Sequence, residues 1–213
     1  MAGLSLAGSL EDYISHPPAV DNPPWREGCE PSVAIPRWQK QLKEAKTDTD
    51  RAIAVGNLEI TAARMATLPV AQAAAMELMD QHVMPNVEVT KSVDRTLFCS
   101  WRRLMLDCAN VYKKLGNIKA ERRCLEMYIE GVDLPQDRDF GLYLLAHHMA
   151  AQENYAEAIQ TIQKVRDDGH MSESKKFIIP KWSKKLALKK ADEAKKLKSL
   201  PTSDPSKNEK LQQ

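Results

Sequence analysis

A chain of 213 residues, 43% apolar and 28% charged, is long enough to bury a core and has the balance of an ordinary helical domain. No apolar run approaches the roughly 18–20 residues that span a bilayer. Eight Gly and three Phe argue against an all-β fold, which needs many turns and aromatic or β-branched strands. The net charge of +2 conceals a split: from Glu173 onward there are twelve Lys, no Arg and five acids, so this end carries +7 and residues 1–172 carry −5.

The opening, MAGLSLAGSLEDY, has no basic stretch before its mildly apolar residues and turns acidic at once, which argues against a secretory leader. Residues 1–35 hold Pro17, Pro18, Pro23, Pro24 and Pro31 without a sustained period. They predict a Pro-rich, mostly disordered arm whose Trp25 docks onto the body.

A helical body is predicted over 36–198. Pro36 suits a first turn, and Trp38, Leu42, Ala45, Ala52, Ile53 and Val55 keep a helical stripe that Gly56 is placed to end. Asn57 then caps a helix to Leu68, and another runs from Pro69 to about Val83, closed by Pro85. Ser92 caps the clearest stripe of the chain: Leu97, Trp101, Leu104, Cys108, Val111, Tyr112 and Leu115. Gly116-Asn117 supplies a stop and a cap, and a second helix uses Ala120, Cys124, Leu125, Tyr128 and Ile129 before Gly131.

The pattern recurs. Leu142, Leu145, Ala146 and Met149 share a face, Glu153-Asn154 turns the chain, and Tyr155, Ala158, Ile159, Ile162 and Val165 follow as far as Gly169. Aligning Ala109 with Ala146 gives a recurrence of 37 residues, predicting helical hairpins at 97–130 and 139–168. A last helix over Pro180–Leu197 carries Trp182, Leu186, Ala187, Ala191, Ala194 and Leu197 on one stripe as a cap. Residues 199–213 are expected to be a disordered polar tail.

Ala109-Asn110-x-Tyr112 with Leu115-Gly116-Asn117-Ile118, and Tyr155-x-x-Ala158 with Ile162 and Val165, resemble a tetratricopeptide repeat protein over about residues 97–169. Glu121 stands where the repeat usually has a small Ala, Glu153 where Gly is common, and His147 where the first unit has Asn110. Val55-Gly56-Asn57-Leu58 echoes the first turn, as from a worn earlier hairpin. The resemblance implies an all-α fold: a short right-handed solenoid of antiparallel hairpins with a C-terminal capping helix, whose first helices line a concave face. Some such domains grip a chaperone's C-terminal carboxylate through Lys, Asn and Arg. Asn110 matches one such Asn, but Leu106, Tyr143 and Leu144 occupy neighbouring positions. An apolar or mixed peptide is the expected occupant, with Asn110, Tyr143 and His147 as partner-binding residues and Tyr112 as a further lining candidate.

No Gly-rich phosphate loop, G-x-S-x-G, H-E-x-x-H or C-x-x-C motif occurs. Cys29, Cys99, Cys108 and Cys124 read as reduced thiols of a cytoplasmic protein. His147 and His148 point about 100° apart on a helix and do not share an ion. No catalytic, cofactor or metal residues are therefore assigned. The expected function is a non-enzymatic scaffold or adaptor that binds a protein or peptide, within a larger assembly and without a membrane span. The rival reading is nucleic-acid or anionic-surface binding through the Lys-rich C-terminal helix, against which stands the acidic body.

Overall fold

All regular structure among the described residues is helical. The computed structural model describes residues 9–21 and 23–199, with side chains as far as 196. The helices are α1 (Leu10–Ser15), α2 (Pro31–Glu44), α3 (Asp48–Met65), α4 (Gln72–Leu78), α5 (Trp101–Lys114), α6 (Ile118–Gly131), α7 (Pro135–Ala151), α8 (Tyr155–Gln163) and α9 (Ser172–Ser199). A 3₁₀ turn at Pro69–Ala71 leads into α4; a π turn at Met79–Val83 and a 3₁₀ stretch at Met84–Ser92 leave it. Two compact units result, Met1–Leu145 and Ala146–Gln213, with the boundary inside α7.

In the first unit α3 is the centre. It packs on α2, α4, the π turn, the 3₁₀ stretch and α5. Ala52, Ala54, Val55, Leu58, Ala62 and Met65 are fully buried, mostly small side chains that let several neighbours approach at once. The expected break at Gly56 does not occur, because Gly56 serves packing. A Cβ there would lie 2.8 Å from the Phe98 ring and 2.9 Å from the Cys99 Cβ. The break comes earlier, where the Thr47 hydroxyl accepts the Asp50 N–H at 3.1 Å and caps α3.

The arm expected to be disordered contains α1. Leu10 and Tyr13, three residues apart, are both buried, and the Leu10 N–H donates to Glu77 Oε2 at 2.6 Å. A single turn with two anchors is too short to produce a period that a sequence scan detects. Trp25 is half-buried. Pro31, not Pro36, opens α2; Pro36 lies within it and takes a backbone donor from its first turns.

Ser92 does not cap α5, which starts nine residues later at Trp101. The Asp94 carboxylate accepts the Thr96 N–H at 2.8 Å and the Thr96 hydroxyl at 2.7 Å, fixing a local turn. Val93 and Cys99 bury against Ala52, with Ile53 and Phe98 alongside, so this loop is held down on α3. Leu97 falls outside the α5 stripe.

The α5–α6 hairpin follows expectation. Gly116 takes the left-handed backbone (φ 71°), the Asn117 N–H donates to the Tyr112 carbonyl at 2.9 Å, and Asn117 Oδ1 accepts the Ala120 N–H at 3.1 Å. The turn between α7 and α8 is built alike, with Glu153 left-handed (φ 57°), the Asn154 N–H on the Met149 carbonyl at 3.0 Å and Asn154 Oδ1 capping α8. The two turns stand 37 residues apart, the spacing read from the sequence. At the start of α7, Gly141 brings the helix against α6: a Cβ would meet Ile129 Cγ1 at 2.6 Å and the Tyr128 ring at 2.8 Å.

In the second unit α9 packs on α8. It begins at Ser172, eight residues before the expected Pro180, and carries that proline internally. Its inward line is Lys175, Ile179, Trp182, Leu186 and Lys189, with Trp182 buried. Lys175 Nζ donates to the Val165 carbonyl at 2.8 Å, and Lys189 Nζ to the Glu153 carbonyl at 3.2 Å. Ala187, Ala191 and Ala194, expected on the buried stripe, are exposed. Alanines add little burial, so Trp182 sets the rotation of the helix and turns them outward. The Leu197 side chain and residues 200–213, which include most of the expected tail, lie outside the described residues.

Gly56→Val and Ala158→Leu each introduce methyl groups where none fit, since Ala158 is fully buried. Each is expected to lower unfolding free energy by roughly 1–3 kcal/mol. Chemical denaturation followed by circular dichroism measures this, and an unchanged midpoint refutes the assigned packing.

Candidate functional site

Helix α6 has two working faces. Cys124, Leu125 and Tyr128 are buried toward the core. Lys119, Arg123 and Met127, at four-residue steps, line a cleft of about 520 Å³ closed on the other side by Asp80, Met84 and Pro85, with Tyr112 and Asn117 at its base. That size is typical of a ligand site, and the walls mix apolar and polar groups.

The polar groups differ in availability. The Tyr112 hydroxyl donates to Asp80 Oδ1 at 2.5 Å, tying α5 to the π turn. Burial, and then this bond to a carboxylate, hold the Tyr112 phenol well above its ordinary range, so it stays protonated. The Asn117 side-chain oxygen is committed to capping α6, and its amide faces Met76 Sδ at 3.5 Å. Lys119 and Arg123 are exposed, and among the described residues neither has an ion-pair partner. Lys119 sits on the first turn of α6, where the helix dipole adds positive potential, and Arg123 follows one turn on. The cleft therefore presents one cationic rim, apolar walls of Met84, Pro85 and Met127, and the Asp80 carboxylate held by the Tyr112 hydroxyl.

Behind the cleft lie thiols that are chemically quiet. Cys124 Sγ is 3.9 Å from Met84 Sδ, and burial pushes its thiol up to about 12. Cys108 is held well above its usual range, again mainly by burial. Neither is ionised near neutral pH, so neither is an activated nucleophile. Three of the four cysteines are buried and Cys29 is exposed; Cys99 sits in the loop before α5. Among the described residues no group of His, Cys, Asp or Glu is arranged to hold a metal ion.

Deeper still, Glu59 of α3 is 4% exposed. Burial, and then the nearby Asp107 charge, raise its carboxyl to about 8, against the opposing pull of Lys114 and Arg103. Asp107 is raised too, by its own burial.

The residues expected to bind a partner are placed as follows. Asn110 is exposed on α5, Tyr143 is half-buried on α7, and His147 is exposed on α7 with its ring edge-on to Trp182 at 5.1 Å between centroids. Tyr143 and His147 are one helical turn apart and share a face of α7. Asn110 and Tyr143 belong to the first unit and His147 to the second. Tyr112 is 1% exposed and serves packing. The cleft residues Lys119, Arg123 and Met127 escaped the sequence reading. Their four-residue spacing was present, but the wall that makes them a site comes from residues 80–85, about 40 positions away.

No family model, curated protein or solved structure matches this chain. No helix among the described residues is long and apolar enough to cross a membrane.

Glu59 gives the fold a defined pH response. Between about 4.5 and 8 the folded chain keeps a proton on Glu59 that the unfolded chain loses, so its contribution to stability falls as pH rises through that window. Glu59→Gln removes the proton exchange and is expected to stabilise the protein at pH 8.5 relative to wild type by roughly 4–5 kcal/mol, with little difference at pH 4.5. Denaturation midpoints across this range test it; parallel curves for the two proteins refute it.

Proposed function

We propose that this chain is a non-enzymatic interaction module that holds a peptide or partner protein, built as a short TPR-like solenoid of antiparallel hairpins with α9 as its cap. The two like-built turns 37 residues apart support the repeat reading. The observation that carries the binding reading is the cleft between α6 and residues 80–85, where the unpaired Lys119 and Arg123 stand beside Met84, Pro85 and Met127. An acidic side chain on the cationic rim, with an apolar neighbour against the methionines, satisfies both halves of the cleft. Methionine walls adapt to more than one apolar shape.

Asn110 on α5, and Tyr143 and His147 one turn apart on α7, are the further contact residues in this reading. The reading is that of a cytoplasmic scaffold within a larger assembly.

Partners captured by the full chain and identified by mass spectrometry supply binding peptides for titration. Lys119→Glu with Arg123→Glu is expected to weaken such a peptide more than tenfold while leaving helicity unchanged, because both residues are exposed. Tyr143→Ala with His147→Ala is expected to weaken the partner protein further. Undiminished binding in both double variants rejects the proposed surfaces.

A further inference from the structure

The outward side of α9 is organised differently from its inward side. Phe177, Lys181, Lys184, Leu188, Ala191 and Lys195 follow one another at steps of four, three, four, three and four residues, which places them on one helical face. All six are exposed. Phe177 is 76% exposed and Leu188 59%, the two most exposed large apolar side chains among the described residues. Among those residues Lys181 and Lys184 have no ion-pair partner, whereas Lys175, Lys176 and Lys189 have one. The acids near this face are Asp192, 3.9 Å from Lys195, and Glu173, which pairs with Lys176.

We infer that this face of α9 docks on an anionic lipid surface, a role beyond the protein-binding reading above. The geometry has the two parts that such docking requires. Phe177 and Leu188, about 16 Å apart along the helix, insert side by side below the headgroups of a helix lying in the interface plane. Lys181 and Lys184 lie between them and reach the anionic headgroups, their aliphatic stems following the apolar contact. The Lys-rich end, +7 from Glu173 onward, adds long-range attraction that falls with salt.

Two other occupants satisfy the same face less well. A second copy in a two-fold arrangement would set Lys181 and Lys184 against their like, with no acid in the middle of the stripe to answer them. A nucleic acid would find lysines for its phosphates but only one ring for stacking, and Leu188 would gain nothing from a base.

The test is co-sedimentation of the full chain with vesicles of phosphatidylcholine alone and of phosphatidylcholine mixed with phosphatidylserine. Binding is expected only to the mixed vesicles and should weaken with added salt. Lys181→Gln with Lys184→Gln should lower affinity about 25-fold, about fivefold per lysine. Phe177→Gln with Leu188→Gln should lower it more than tenfold at unchanged helicity. Quenching of a Phe177→Trp variant by brominated lipid, above that of wild type, is expected of an inserted side chain. The inference is overturned by absent or equal sedimentation with the two vesicle types, or by either double variant binding as wild type does. It is likewise overturned if generic single-stranded RNA binds and vesicles do not, or if the chain self-associates through Phe177 and Leu188 instead of sedimenting with lipid.

Discussion

Everything in the first unit depends on α3 being surrounded. A helix packed against α2, α4, α5 and the turns after α4 has most of its surface covered, and its neighbours can come close only where its side chains are small. That single demand explains Ala52, Ala54 and Ala62, and it explains Gly56 in mid-helix, where Phe98 and Cys99 occupy the place of a methyl group. It also explains why Glu59 is uncomfortable as a charge: it stands on a packed side of the helix, away from the exposed Arg51 and Arg64, so burial favours its protonated form. Glycine and a buried acid, two residues usually read as breaks or surface positions, are both consequences of one crowded axis.

The outside of the molecule is governed by the opposite consideration, which charges have been answered and which have not. Arg102 is satisfied by the buried Asp137 at 2.9 Å, Arg95 by Asp133 at 2.8 Å, and Asp80 by the Tyr112 hydroxyl. Of these, the exposed Arg95–Asp133 pair contributes little to stability. Lys119 and Arg123 on α6, and Lys181 and Lys184 on α9, stand apart because nothing within the described residues answers them while apolar side chains sit beside them. Unanswered cations next to exposed apolar groups recognise amphipathic anions, whether a peptide segment in a cleft or the boundary of a bilayer.

What could be read in the sequence follows from how local each signal is. The α5–α6 and α7–α8 turns were legible because a left-handed residue followed by a capping Asn is a two-residue code that needs no distant partner. The all-helical class was legible for the same reason. Gly56 misled because its role is fixed by Phe98, some 40 residues later. Residues 84–92 hid for a different reason: Met84, Val87, Thr90 and Val93 turn inward at steps of three, the period of a 3₁₀ winding, which a search at 3.6 residues per turn smears out. The stripe proposed for α9 drifted because its alanines were counted as apolar anchors, while the burial of Trp182 determined which way the helix faces. The cleft beside α6 needs two segments to exist, and only one of them has a pattern.

The three inward contacts of α9 also define a scale. Lys175, Trp182 and Lys189 are spaced by seven residues, two helical turns each, so all three lie on a single line facing α8. The first lysine holds a carbonyl just beyond the end of α8 and the last holds one just before its start, which makes the two helices antiparallel. Any sliding of one helix along the other by a full turn, about 5.4 Å, would carry both ammonium groups away from their carbonyls together. The pairing thus has a single registered position, marked at both ends by lysines that composition alone would assign to a solvated basic run.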